Sequence, residues 1–394
     1  MELVKKARIQ SIDLLRGIIM VIMALDHCRE YFHASAGIQD PLDLATTTPT
    51  LFFTRWITHL CAPIFVFLSG VSAWLQSGRK TTRELSSFLI TRGLWLIFVD
   101  LFFITFATTA NLYFSTFVIQ TLWAIGISMA VLGLMIWLPY YAILATGLLI
   151  VVGHNALDIA ELNHSGSFPA WWMLLHKHGN VPLWEGHNLL VFYPFLPWTG
   201  LMLLGYCAGR IFTNYEGKQR RNILLSIGLN LLLFFAAVRF TNIYGDPLHW
   251  SVQKDGLYTF LSFMNVQKYP PSLMYMAATI GIGFIFLALV KNAGSGLSKI
   301  FIVYGRVPMF YYVVHFYLLS IINTTLFFVR GHSFAEGMTG IPGTPWKFLV
   351  AGEGFNLAMV YVIWISLVTA LYPLCRWYDK YKSSHPEKKW LSYL

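Results

Sequence analysis

Apolar stretches long enough to enter or cross a bilayer recur along this chain, at roughly Leu14–His33, Leu51–Leu75, Phe88–Thr108, Phe117–Leu138, Tyr140–Val152, Leu189–Phe212, Ile223–Phe240, Pro271–Val290, Val307–Val329 and Phe355–Trp377. A span needs about 20 mostly apolar residues at a rise of about 1.5 Å each, and in lipid the backbone must satisfy its own hydrogen bonds. The expectation is an all-α, polytopic integral membrane bundle of about ten helices. An eleventh span is compatible with the pattern, and the tight uncharged turn Leu138-Pro139-Tyr140 could make its two flanking runs one re-entrant unit. A soluble chain of 394 residues has no core able to hide 56% hydrophobic residues with only 12% charged ones.

Alternating the loops from a cytoplasmic N-terminus sorts the Lys and Arg residues. Lys5, Lys6, Arg8, Arg79, Lys80, Arg83, Arg210, Lys218, Arg220, Arg221, Lys291, Lys299 and the tail from Arg376 to Lys389 fall inside; about half as many fall outside. The positive-inside rule therefore favours both termini in the cytoplasm. The net charge of +10 reports topology rather than nucleic-acid binding, because the basic residues lie in short loops and a tail. We read residues 1–394 as one transmembrane domain, with extracytoplasmic loops at 153–188 and 241–270 and a basic cytoplasmic tail at 377–394. Ala34-Ser35-Ala36 has the small residues of a signal-cleavage site, but the ionisable residues before it argue that the first span is retained. Cys28, Cys61, Cys207 and Cys375 each stand alone in apolar surroundings, so neither a disulfide framework nor a metal site is expected.

The first run, SIDLLRGIIMVIMALDHCREYFH, carries charge at both ends and at its centre. With Arg16 near one surface, ten helical residues put Asp26 about 15 Å deeper, near the middle of a hydrocarbon layer about 30 Å thick. A carboxylate there costs at least about 2.5 kcal/mol unless it faces a bundle interior or a wet cavity. Helical spacing puts Asp26, Arg29, Glu30 and His33 on one face, with His27 and Tyr31 beginning the neighbouring stripe. That face either ties helices together as a self-neutralised cluster or lines a reaction or transport cavity.

Further polar residues interrupt later spans: Arg55 and His59, Arg92 and Asp100, Gln120 and Trp123, Arg306 and His315. They point to a polar interior. The long outer loops carry His154, His164, His176, His178 and His187, then Asp246, His249, Asp255 and Lys268, among tryptophans. These form either an interfacial aromatic belt or a lid over an outward-facing cavity. A histidine beside a carboxylate serves equally well as a general base or as a proton relay in a transporter, and periodicity does not decide between them.

Arg8, Ser11-Ile12-Asp13, Arg16-Gly17, an apolar run, Asp26-His27, Cys61-Ala62-Pro63-Ile64-Phe65-Val66-Phe67-Leu68-Ser69-Gly70 and Arg92-Gly93 together resemble the catalytic domain of heparan-alpha-glucosaminide N-acetyltransferase and its bacterial relatives. More distantly the chain is similar to membrane acyltransferases that modify surface polysaccharides. The likeness is most specific up to about residue 96 within the region 1–108. Tyr244-Gly245-Asp246-Pro247, Lys268-Tyr269-Pro270-Pro271-Ser272 and Gly305-Arg306-Val307-Pro308 through His315 extend it along the bacterial branch.

That resemblance implies transfer of an acetyl group from cytosolic acetyl-CoA to a sugar amine or hydroxyl on the far side of a bacterial inner membrane. The family's upstream asparagine falls on Asp26 and its active-site histidine on His33. The intervening stretch is shorter here and lacks the glycine-rich run, so His27 competes for the same role. His33 or His27 would deprotonate the acceptor, with Asp26 orienting the base or touching the acceptor. Arg16, Arg92 and Arg306 are the candidates for the donor's phosphates; Arg29, Glu30, His59, Asp246, Lys268 and His315 are those for acceptor contact. The expected partners are the bilayer, acyl-CoA and a glycan or small amino or hydroxy acceptor, with no metal and no nucleic acid; oligomerisation is left open. The competing readings are a proton-coupled transporter of a small solute or acylated sugar, and a nonenzymatic membrane partner protein.

Overall fold

The structure is a computed structural model describing residues 9–290, 296–341 and 344–392; Lys5, Lys6, Arg8 and Lys291, read above as inner-side charges, lie outside the described residues. In chain order the helices are α1 (Gln10–Phe32), α2 (Pro49–Ile57), α3 (Cys61–Ser77), α4 (Thr82–Phe98), α5 (Thr105–Thr109), α6 (Thr121–Met135), α7 (Tyr140–Gly153), α8 (Ala156–Leu162) and α9 (Ala170–Leu175). They continue as α10 (Phe195–Asn214), α11 (Gly217–Thr241), α12 (Gly256–Met264), α13 (Leu273–Leu289), α14 (Leu297–Arg306), α15 (Pro308–Val329), α16 (Phe334–Thr339) and α17 (Leu357–Ser384).

The chain is 70% helical, as an all-α membrane bundle requires. Among the described residues, six helical stretches are long and apolar enough to cross a membrane: Pro49–Ser77, Thr82–Thr109, Tyr140–Leu162, Gly217–Thr241, Pro308–Val329 and Leu357–Ser384. Thr121–Met135 and Leu273–Leu289 are shorter apolar helices. Every apolar run of the sequence contains a helix, but two begin differently from the expectation. Phe117 lies in strand β1 (Thr116–Ile119) and Leu189 in strand β3 (Asn188–Val191). β3 pairs in parallel with β1, Thr116 opposite Asn188, and antiparallel with β2 (Gly179–Pro182), Val191 opposite Gly179. Thr116, Val118, Ile119 and Val191 are β-branched, which suits a short paired strand better than the first turn of a helix.

Local signals set the helix ends. Thr48 caps α2 by accepting from the Leu51 N–H at 3.3 Å, with Pro49 in the first turn where its missing N–H costs nothing. Thr81 and Glu84 form a capping box on α4, and Ser272 caps α13 through the Tyr275 N–H at 3.0 Å.

α1 is the centre of the bundle, packed against α3, α13, α14, α15 and α17. Its approach to α14 is backbone on backbone: a Cβ on Gly17 would overlap the Phe301 carbonyl, and one on Gly305 would overlap the Asp13 carbonyl. Small residues let two helices meet this closely, and the residue cost of that approach is borne by glycine alone. A second contact of the same kind joins Gly70 of α3 to the α10 backbone at Met202 and Gly205. α14, which the sequence reading treated as a loop carrying Lys299, exists to make the first of these contacts.

Two irregular turns place polar groups inside the bundle. Between α2 and α3 the helix tightens to 3₁₀ over Thr58–Leu60. Pro63 lacks the N–H that would bond the carbonyl of His59, and that carbonyl instead accepts the Tyr275 hydroxyl of α13 at 2.9 Å. Between α4 and α5 a π-helical segment, Val99–Ile104, carries the fully buried Asp100. Its Oδ2 accepts the backbone N–H groups of Gln120 at 2.6 Å and Trp123 at 3.0 Å, capping α6.

Candidate functional site

Asp26 stands at the centre of a buried charge network. Arg55 of α2 donates to its Oδ2, while Arg29 donates to its Oδ1 at 3.1 Å and reaches Glu30 at 3.5 Å. The Thr58 hydroxyl accepts from Arg55 at 3.2 Å, and Tyr269 lies against the same guanidinium. Two guanidinium groups face two carboxylates, which is how charge survives buried among apolar helices. Lys268, whose ammonium lies 5.1 Å from the Tyr269 ring, is within electrostatic reach of Asp26, Glu30, His27 and His59. The structure thus brings Asp26, Arg29, Glu30, His59 and Lys268 to one place. Sequence reading noted Arg55 but gave it no partner, because the pairing crosses from α1 to α2 over a long loop.

His59 completes one wall. It is 1% exposed, its ring lies 5.2 Å from that of Tyr275, and among the described residues neither ring nitrogen has a hydrogen-bond partner. Buried polar atoms are normally paired, so a ligand or water is the natural partner for these two.

His27 turns towards α15 instead of joining the Asp26 network. Its Nδ1 lies 2.7 Å from Nε2 of His315, and His315 Nδ1 lies 3.0 Å from the Tyr311 carbonyl. The carbonyl only accepts, so His315 carries its proton on Nδ1 and its Nε2 accepts from His27 Nδ1–H. His27 Nε2 is left with its lone pair. Phe316 packs on the His27 ring at 4.3 Å.

His33 follows α1 as its C-cap. Its Nδ1 accepts the Ser35 N–H at 3.2 Å and lies 2.8 Å from the Ser35 hydroxyl, so in the neutral ring the proton sits on Nε2. The residue borders a cavity of about 20 Å³, room for roughly one water, with Asn323, Arg330 and Glu353.

The three arginines assigned to the donor take different settings. Arg16 donates to the Ser72 hydroxyl at 2.8 Å and pairs with Asp13 at 3.6 Å. Arg306 follows the Gly17–Gly305 contact and pairs with Asp379 at 3.4 Å, its buried Nε without a hydrogen-bond partner among the described residues. Arg92 lies over the Phe88 ring at 5.9 Å. Asp246 sits apart from the charge network: it accepts from the Ser272 hydroxyl at 2.6 Å, Leu248 N at 2.8 Å and Gln267 N at 3.1 Å, with Arg239 at 3.6 Å. Burial pushes its carboxyl above the usual range, and Arg239 and those donors oppose the shift. Its geometry is that of a loop anchor beside α13.

Residues 8–239 match the family described as heparan-alpha-glucosaminide N-acetyltransferase, catalytic. The chain belongs to this family. No curated protein matches it. Family membership and the helical membrane fold together make the protein an integral membrane acetyltransferase in general terms. The stretch matching the family runs from the start of α1 almost to the end of α11, and so contains Asp26, His27, Arg29, Glu30, His33, Arg55 and His59. Lys268 and His315 join the same interior from outside that stretch, while Arg306, also outside it, lies at the Gly17–Gly305 end.

Proposed function

We propose that this acetyltransferase takes its acetyl group from acetyl-CoA at the cytoplasmic end of the bundle and delivers it to an amine or hydroxyl of a sugar at the other end. The observation that carries the reading is the coupled pair His27–His315 beside the buried Asp26 network, inside a family of acetyltransferases. The acceptor's nitrogen or oxygen attacks the thioester carbonyl carbon, the C–S bond breaks, and the sulfur departs as thiolate. The acceptor proton passes to His27 Nε2 and from there to the thiolate. His33, which resemblance marks as the active-site histidine, holds Nε2–H in its neutral form and serves to hydrogen-bond the acceptor oxygen. Asp26, held by two arginines, keeps its charge and orients the acceptor amine, while His59 offers its unpaired ring nitrogens to the substrate. Arg16 and Arg306, at the Gly17–Gly305 end, take the donor's phosphates, with Arg92 on α4 as the third candidate. Lys268 and Glu30 complete the acceptor wall.

A bacterial inner membrane with both termini cytoplasmic is the topology that the basic loops favour. Family membership weighs against the transporter reading, because a transporter needs no acyl donor.

Two measurements on purified protein in detergent test this: binding of radiolabelled acetyl-CoA, and acetyl transfer to a panel of amino sugars. Saturable donor binding is expected in wild type and in His27→Ala, with transfer lost in that variant. Folded wild-type protein that binds no acetyl-CoA overturns the function. If His27→Ala transfers at the wild-type rate and His33→Ala does not transfer at all, the two histidines exchange roles.

A further inference from the structure

α1 ends where it delivers His33, and its last carbonyls need partners that the helix itself cannot supply. His33 leaves the helix in an extended conformation, φ −77° and ψ 141°, while its N–H still bonds the Arg29 carbonyl at 3.1 Å. The end of the connection between α15 and α17 comes alongside. The Phe355 N–H donates to the Phe32 carbonyl at 2.6 Å and the Phe355 carbonyl accepts the Ala34 N–H at 2.9 Å, a parallel β-bridge with His33 between the two bonds. Gly354 lies directly against this turn: a Cβ there would overlap the His33 carbonyl and the Ala34 nitrogen. The same carbonyl accepts the Ala36 N–H at 2.9 Å. With Ser35 on Nδ1, the backbone on both sides of His33, its carbonyl and its ring are all held.

On the reading of His33 as the residue that hydrogen-bonds the acceptor, we propose that Gly354 and Phe355 are positioning residues for acetyl transfer, their backbone setting where the His33 imidazole meets the acceptor. A helix end that needs only capping is usually closed by a left-handed glycine in its own next turn. Here the carbonyl of the last residue of α1 is taken by a backbone N–H from far along the chain. The approach is so close that only glycine fits at position 354, which makes the spacing between the two segments a fixed quantity. Such precision has a use beside a reacting group, where a misplacement of about 1 Å can cost about 10²-fold in rate. Groups that hold a substrate must themselves be held by packing and by outer hydrogen bonds.

The residues around Gly354 have their own frame. The Arg330 guanidinium lies over the Phe355 ring at 5.3 Å and 3.9 Å from Glu353 Oε2, and His332 Nε2 lies 2.8 Å from the same oxygen. Arg330, Glu353, Gly354 and Phe355 border the small cavity beside His33, so the segment that fixes the imidazole also walls the space next to it. This segment lies outside residues 8–239, the stretch that matches the family. The histidine therefore comes from the family stretch and its placement from the C-terminal part of the chain.

The test measures acetyl transfer by full-length Gly354→Ala, His33→Ala and the double variant in detergent, with acetyl-CoA affinity as the check on folding. Gly354→Ala should bind acetyl-CoA within about twofold of wild type and lower kcat/KM for the acceptor about tenfold, the scale of one hydrogen bond, chiefly through KM. His33→Ala should show the same pattern. Adding Gly354→Ala to it should change kcat/KM by less than about twofold, because the imidazole that Gly354 places is gone. A wild-type kcat/KM in Gly354→Ala, or losses that multiply in the double variant, overturns the positioning role and leaves that of His33 standing. Wild-type transfer by His33→Ala overturns both. Should Gly354→Ala fail to bind acetyl-CoA, Phe355→Pro and Phe355→Leu decide: both lose the ring, and only proline withholds the N–H from the Phe32 carbonyl. A higher acceptor KM in Phe355→Pro than in Phe355→Leu supports the positioning role, and equal values overturn it.

Discussion

His27 on α1 and His315 on α15 share one proton across 2.7 Å, and the Tyr311 carbonyl fixes the direction of that bond. The pair therefore behaves as one acid–base unit in which the second ring sets the tautomer of the first. Replacing His315 with Ala frees His27 to place its proton on either nitrogen. Acetyl transfer should fall about 10²-fold, the scale of general-base assistance, while affinity for acetyl-CoA stays within about twofold of wild type. Steady-state kinetics with separate donor binding reads the split, and an unchanged turnover number would remove His315 from the mechanism.

The Asp26–Arg55 pair joins α1 to α2 inside the bundle, both side chains buried, so the two residues are coupled in stability as well as in function. Asp26→Asn leaves Arg55 buried beside Arg29 without its carboxylate and is expected to cost about 3–5 kcal/mol. Asp26→Leu combined with Arg55→Met removes both charges and should recover most of that loss while transfer stays absent. Thermal unfolding of the single and double variants in detergent gives the coupling directly.

Gly17 and Gly305 predict a contrast between two otherwise similar substitutions. A methyl group on Gly17 meets the Phe301 carbonyl and backbone of α14, which have nowhere to move, whereas one on Gly283 meets only Ile64 side-chain carbons at 3.4 Å. Gly17→Ala should force α1 and α14 apart and lower stability by about 1–3 kcal/mol, the usual range for overpacking. Gly283→Ala should be within about 1 kcal/mol of wild type or slightly stabilising, since alanine favours helix. Equal melting temperatures for the two variants would contradict the backbone contact.

Residue by residue, these contacts also show what a sequence read in isolation can and cannot reach. Asp26 announced itself because a carboxylate at mid-membrane depth has few physical excuses, and its helical spacing to Arg29 and Glu30 was enough to group them. Its strongest partner, Arg55, stayed hidden because helical periodicity relates residues within one helix and says nothing across a loop. The same limit hid the His27–His315 pair, whose members are 288 positions apart. α14 was missed for a different reason: at ten residues it is too short to register as a span, and its purpose is a glycine contact with α1. The strands β1 and β3 were absorbed into neighbouring spans because three apolar residues ahead of a helix, Phe117–Ile119 and Leu189–Val191, look like more helix.

Tyr275 and Pro63 supply a last test, one that follows from a hydrogen bond the proline frees. Proline at position 63 withholds the N–H that would claim the His59 carbonyl, and the Tyr275 hydroxyl takes that carbonyl at 2.9 Å, tying α13 to the turn that carries His59. Tyr275→Phe strands a buried carbonyl and should cost about 1–3 kcal/mol. Adding Pro63→Ala restores a helical donor to the same oxygen, so the double variant should be more stable than Tyr275→Phe alone, even though Pro63→Ala by itself competes with an existing bond. The cycle has a functional arm too: regularising the turn rotates His59 away from Arg55 and Asp26, so the double variant should regain stability without regaining acetyl transfer. Unfolding midpoints and transfer rates measured on the same four proteins separate the two effects. Recovery of both together would mean that the irregular turn serves packing alone and that His59 has no part in binding the substrate.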